Sequence, residues 1–282
     1  MRGGTGRPGE EPDVQVTDKV FVVTGAGDGM GREVVLALLS RGGEVAAVDL
    51  VRDRLDETAR LAGTASDRLS AHVVDLTDRA AVEALPDAVR EAHGRIDGLV
   101  NVAATSGAPG RFADVGYAEL EDVLEVNLWG VVHTCRTFLP HLVVRREACI
   151  VNVSSTAALV PVAGRAMYGA SMAAVKLLTE GLHAELRATT VAVTVVLPDP
   201  ADTGAPGPPV GPDAAVEGAH AEPVAGGTTA ADAARQVVVA IEQGSPRVVI
   251  GKEARRLDRL SRFFPHRATE RAARNPAPLP TP

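Results

Sequence analysis

Cysteine is nearly absent: Cys135 and Cys149 are the only two in 282 residues. That leaves no disulfide framework and no Cys-x-x-Cys metal site, so buried free thiols are the expectation and no metal is called for. Long hydrophobic runs are missing too, none approaching the roughly 18 residues that a membrane span requires. The stretch from Met1 to Thr17 lacks the apolar core of a secretory signal. A cytoplasmic protein without a membrane span is therefore expected. Nor is there an excess of basic charge: the formal net charge is −7, which gives no electrostatic footprint for nucleic acid, although the C-terminal segment is locally rich in arginine. What is present is ordinary for a globular chain, with 45% hydrophobic and 23% charged residues, and the length suits one large domain with a well-buried core.

The 28 glycines and 19 prolines gather at boundaries. Residues 1–17 are expected to form a disordered leader and 275–282 a proline-rich tail, because neither buries enough apolar surface to offset the entropy of ordering. A further glycine- and proline-rich stretch lies between 204 and 227, and a loop of that length is usually functional or mobile. Elsewhere short β-branched runs alternate with segments of helical period. Strands are expected at Lys19–Thr24, Glu44–Asp49, Ala71–Val74, Gly98–Val102, Cys149–Val153, Val191–Leu197 and Arg247–Ile250. The clearest helices are Met30–Arg41, Asp78–Ala92, Tyr117–Val144, Ala166–Ala188, Ala230–Gln243 and Glu253–Arg274. Such alternation predicts an α/β, doubly wound sandwich: a seven-stranded parallel sheet with helices on both faces. Residues 18–252 would be the single folded domain, with 199–229 as a substrate lid. Residues 253–274 would be a basic amphipathic helix, packed on its own or a neighbouring subunit.

The strand Val20–Val23 runs directly into Thr24-Gly25-Ala26-Gly27-Asp28-Gly29-Met30-Gly31, and a helix follows at once. Glycine lets the chain turn sharply and approach a pyrophosphate, while the helix start offers unpaired N–H groups and a favourable dipole. Asp49 closes the second strand 18 residues after Gly31, where a carboxylate accepts the hydroxyls of an adenosine ribose. A 2′-phosphate there would face that carboxylate, and Asp28 adds a second negative charge, so NAD is favoured over NADP. The counterweight is Arg52 and Arg54, read as solvated charges at a helix start.

The pattern Thr24-Gly25-x-x-x-Gly29-x-Gly31 resembles that of the compact short-chain dehydrogenase/reductase family, and more of the chain agrees. Asp75-Leu76 is similar to the pair that lies against adenine in that family, and Asn101-Val102-Ala103-Ala104 stands where the family has Asn-Asn-Ala-Gly. Asn127 resembles the helix asparagine that holds a proton-relay water. Asn152-Val153-Ser154-Ser155 is followed, 13 residues beyond Ser155, by Tyr168, one of two tyrosines in the chain. Pro198 to Thr203 resembles the turn over the nicotinamide. The resemblance covers about residues 18 to 255 and implies a Rossmann-type fold and a homo-oligomer, dimer or tetramer. It also implies a dinucleotide site made by Gly25, Gly27, Asp28, Gly29, Met30, Gly31, Asp49, Asp75, Leu76, Asn101, Ala103, Pro198, Ala201 and Thr203. Its catalytic set would be Asn127, Ser155 and Tyr168.

Hydride transfer between a secondary alcohol and nicotinamide must be coupled to the movement of one proton, which a tyrosine hydroxyl can carry. Ser155 would steady the charge developing on the same oxygen. The departure is Met172, which occupies the lysine position of the family's Tyr-x-x-x-Lys, one turn beyond the tyrosine. That lysine binds the nicotinamide ribose and lowers the tyrosine pKa; methionine does neither. Lys176 lies a further turn away, about 6 Å, and reads as a solvated surface residue. Val102 and Asp199 are milder departures. Met172 fits a dehydrogenase with a modified proton relay, a non-redox enzyme (cyclase, dehydratase or isomerase) on the same scaffold, or a deliberately inactivated chain. A cofactor-binding protein without turnover is the remaining alternative. The 199–229 segment offers no cluster of basic groups, so a fairly apolar, neutral alcohol or ketone is the expected small-molecule substrate.

Overall fold

The computed structural model describes residues 14–199 and 228–274, with nothing drawn from the side chains of 271–274. The expected leader up to residue 13, the lid residues 200–227 with Ala201 and Thr203, and the tail 275–282 lie outside the described residues. Seven strands, β1 (Val20–Thr24), β2 (Glu44–Asp49), β3 (Leu69–Val73), β4 (Gly98–Asn101), β5 (Ala148–Val153), β6 (Val191–Pro198) and β7 (Arg247–Ile250), pair in the order β3-β2-β1-β4-β5-β6-β7. All six pairings are parallel. The order reverses between β1 and β4, and such a reversal opens a crevice at the carboxyl ends of the strands.

Both faces of the sheet are buried, which is why its strands read as continuous apolar runs. On one face Phe21 and Val23 of β1 pack with Val34, Val35 and Leu38 of α1 (Gly29–Ser40) and with Val237 and Ile241 of α7 (Ala230–Glu242). On the other, Val20 and Val22 meet three further helices: α3 (Arg79–His93) through Leu85 and Val89, α5 (Gly130–Leu142) through Phe138 and Leu142, and α6 (Ala166–Leu186) through Val175. Each such side chain contributes roughly 1.5 to 3 kcal/mol of transfer free energy. At the end of the sheet away from the crevice, fully buried Asp97 accepts from Val20 N at 3.0 Å, Arg95 Nε at 2.7 Å and Arg145 Nε at 2.8 Å.

The structure departs from the sequence expectation in four places. A helix, α2 (Arg52–Ala62), precedes β3, and β3 itself begins at Leu69 instead of Ala71. The long helix expected over Tyr117–Val144 is α4 (Tyr117–Leu124), a π-turn at Glu125–Trp129 and then α5. The helix expected over Glu253–Arg274 is divided into α8 (Lys252–Phe263) and α9 (Pro265–Arg274). Pro265 lacks an N–H and crowds the residue before it, and Phe264 leaves the helical region with φ −140 and ψ 61. Among the described residues no helix is long and apolar enough to cross a membrane.

Candidate active site

Thr24 ends β1, and its Oγ1 accepts from Val102 N at 3.1 Å and Ala103 N at 3.3 Å, tying the end of β1 to the chain leaving β4. Gly25 follows with φ +66, a conformation that favours glycine. A Cβ on Gly31 would stand 1.9 Å from the Gly25 carbonyl oxygen, so α1 is seated directly on the turn. Asp28 caps that helix through Gly29 N at 2.7 Å and lies 3.8 Å from Arg32, which also bonds the Gly27 carbonyl. The Asp28 carboxylate is thereby held within the turn. The first-turn amides at Met30 and Gly31 have no acceptor within the helix, as at any helix start.

Asp49, half-buried at the end of β2, accepts from Gly27 N at 2.9 Å and Val51 N at 3.1 Å, which fixes its carboxylate beside the glycine turn. Arg52 is exposed, but Arg54 is half-buried, and its Cβ lies 2.7 Å from where a Gly27 Cβ would be. The stem of Arg54 thus packs against the turn. Asp75 turns its Oδ1 to Thr77 N at 2.9 Å, and the Leu76 side chain packs at Gly130 while its carbonyl meets His133 Nδ1 at 3.1 Å. Asn101 is buried, its amide donating to Asn152 Oδ1 at 2.8 Å and accepting from Thr134 Oγ1 at 2.9 Å. Its side chain therefore knits β4, β5 and α5 together inside the sheet. Pro198 closes β6, and the next amide, Asp199 N, donates to Ile250 O at 3.1 Å. Burial pushes both cysteine thiols up to about 12, so neither supplies a thiolate.

Ser155 leaves β5, and Tyr168 lies in the first turn of α6. The Ser155 hydroxyl accepts from Ala157 N at 3.1 Å, fixing the short turn after the strand. Burial raises the Tyr168 pKa, and both the Ser155 side chain and the charge of Arg165 pull it back. Asn127 sits in the π-turn, a geometry frequent at functional sites. Its side chain accepts from Thr105 N at 2.7 Å and donates to Thr105 O at 2.8 Å and Ser171 Oγ at 2.9 Å. Ser171 in turn donates to the Tyr168 carbonyl at 2.8 Å. The asparagine thus links the segment after β4 to the helix that carries the tyrosine.

Met172 is 2% exposed, and its carbonyl accepts from Ser154 Oγ at 2.8 Å. Lys176, expected to be solvated, is half-buried and pairs with Glu180 at 2.8 Å; Arg247 reaches the same carboxylate at 3.2 Å. The lysine ammonium is engaged by that carboxylate. A cavity of about 510 Å³ opens at the start of α6, walled by the 157–166 segment, Gly169, Ala170, Phe112 and Thr269 of α9; neither Tyr168 nor Ser155 lines it. Arg165, which lines it, was missed from the sequence; it stands just before α6, outside the helical region with φ −138 and ψ 40.

The family profile described as short chain dehydrogenase matches residues 19–208. In Mycobacterium tuberculosis, the protein named "Probable oxidoreductase EphD" is 39% identical over 187 residues, covering 66% of this chain and 31% of its own length. The chain therefore spans about a third of that relative. SadH, a protein of the same organism named as an oxidoreductase, is 32% identical over 251 residues, covering 87% of this chain and 91% of its own. The crystal structure of a short chain dehydrogenase/reductase from Burkholderia phymatum in complex with NAD has a TM-score of 0.79 at 27% identity, covering 95% of this chain and 100% of that one.

Proposed function

The chain belongs to the short-chain dehydrogenase family, and from that premise we propose that it is an NAD-dependent oxidoreductase interconverting a secondary alcohol and a ketone. The observation that carries the reading is the meeting of Tyr168 and Ser155 at the carboxyl ends of the strands, on the same side of the sheet as the glycine turn. The turn fits a dinucleotide on its own geometry: α1 rests on Gly25 with no room for a side chain at Gly31, and Asp49 is clamped by two amides beside it. The carboxylate oxygens keep lone pairs for ribose hydroxyls, and the α1 start presents amides and dipole to a diphosphate. Gly25, Gly27, Met30, Gly31 and Asp49 would hold the cofactor, with Ala103 at the β4 side of the crevice.

Bound NAD supplies the hydride acceptor, or NADH the donor. The protein's part is the proton and the oxygen: the Tyr168 phenol gives or takes the proton, and Ser155 donates to the same substrate oxygen. Asn127 acts one step back, holding Ser171 and through it the tyrosine segment. With Met172 in place of a cation, burial keeps the phenol protonated, the form that donates during ketone reduction. The exposed apolar side chains of Trp129 and Leu177 support a homo-oligomer.

The test is titration of the purified protein with NADH and NADPH, followed by cofactor fluorescence. NADH should bind more tightly, and Asp49→Ala should narrow the gap. Equal affinities in the unaltered protein would refute the NAD preference, and binding of neither would refute the enzymatic reading.

A further inference from the structure

We propose that α8 and α9 dock the protein on an anionic lipid bilayer, the cations of α8 meeting the headgroups while Phe263 and Phe264 enter the acyl boundary. Residues 252–274 hold eight lysines and arginines against three carboxylates, in a chain whose formal net charge is −7. Those of α8 are sorted to one side. Ala254 is buried and Leu257, Asp258, Leu260 and Ser261 are half-buried, which turns that face inward, where the Asp258 carboxylate takes Arg247 at 2.5 Å. Lys252, Arg256, Arg259 and Phe263, spaced four, three and four residues apart, form one exposed stripe about 17 Å long on the opposite face, with exposed Arg255 and Arg262 beside it. Arg256 lies 3.8 Å from Glu253 and Arg262 lies 3.1 Å from Asp258; such pairs at a surface hold little energy.

The stripe ends on hydrocarbon. At the break before Pro265, Phe263 is 74% and Phe264 52% exposed. Arg267 stands 5.2 Å from the centre of the Phe264 ring, so a further cation borders the tip. Two bare aromatic rings at the end of a row of cations suit a bilayer surface, where acidic headgroups take the charge and the acyl boundary takes the rings. A second copy laid on the same face would set cation against cation. A nucleic acid duplex would meet the cations and leave both rings in water. Thr269, five residues or about 8 Å of helix beyond Phe264, lines the cavity at the start of α6, so the docked chain carries that cavity close to the lipid.

The probes are vesicles of phosphatidylcholine alone and of an equal mixture of phosphatidylcholine and phosphatidylglycerol, and flotation of the full chain with each is measured. The chain should bind the mixed vesicles at least about tenfold more tightly than the neutral ones at low salt, and lose that preference near 1 M salt, where the Debye length shrinks to about 3 Å. Each cation at an anionic surface contributes about fivefold, so the combined change Lys252→Glu, Arg256→Glu and Arg259→Glu should weaken binding by about a hundredfold or more. Phe263→Ser with Phe264→Ser should weaken it at least about tenfold and leave its salt dependence in place. Unchanged melting temperature in both variants is the control for folding. No binding to the mixed vesicles, equal binding to both kinds, or binding that survives the charge reversal would overturn the proposal. A change in subunit number on charge reversal would overturn it by assigning the face to a second copy, and tighter binding of a DNA duplex than of the mixed vesicles would overturn it in favour of nucleic acid.

Discussion

Exchanging Met172 for lysine places an ammonium one helical turn beyond Tyr168, where side chains four residues apart stand about 5–6 Å from one another. At an effective dielectric constant near 20, a unit charge at that distance favours the phenolate by about 3 kcal/mol, or roughly 2 pKa units. Alcohol oxidation at pH values below the tyrosine pKa should then rise by up to about a hundredfold, and the rising limb of its pH profile should move about 2 units toward acid. The same charge enters a site that is 2% exposed, so thermal stability should fall unless the amine reaches the open crevice. The assay is NADH formation from small secondary alcohols at saturating NAD across the pH range, with the melting temperature measured alongside. An unchanged pH profile in a folded Met172→Lys protein would refute the electrostatic reasoning. A loss of conversion of the native substrate with no gain in NADH would point to non-redox chemistry.

Gly31→Ala should lower dinucleotide affinity more than tenfold and reduce the melting temperature, because its Cβ would stand 1.9 Å from the Gly25 carbonyl oxygen and must push α1 off the turn. Unaltered affinity would contradict the packing account. His72 is held below its ordinary pKa by burial, then by His93 and Arg52. The unfolded chain therefore binds a proton there first, and stability falls as pH drops below about 6.5. His72→Gln should flatten the decline of the urea midpoint between pH 7 and 5, and an unaltered slope would contradict the assignment.

The parallel sheet was legible because its strands are buried on both faces and read as β-branched runs, and the glycine turn because strand, glycines and helix follow without a gap. The 13-residue interval from Ser155 to Tyr168 likewise brings two side chains together across a strand end and a helix start. What stayed hidden depends on contacts between distant segments. The π-turn at Glu125–Trp129 leaves the apolar pattern of a long helix almost intact, so periodicity alone does not reveal it. Arg54 reads as a surface charge until its stem is seen against Gly27, and the sequence does not show that Asp28 caps α1. The break before α9 has its signal in Pro265, which lacks an N–H and crowds Phe264 out of the helical region.

Tyr168→Phe removes one oxygen from the site and leaves the glycine turn untouched, which makes it the most direct measurement on the central claim. The account predicts that NADH-linked interconversion of ketone and alcohol falls by roughly 100- to 10,000-fold, the range of general acid–base catalysis, while NADH affinity stays within about twofold. A Tyr168→Phe protein that turns over at the full rate would contradict the account outright.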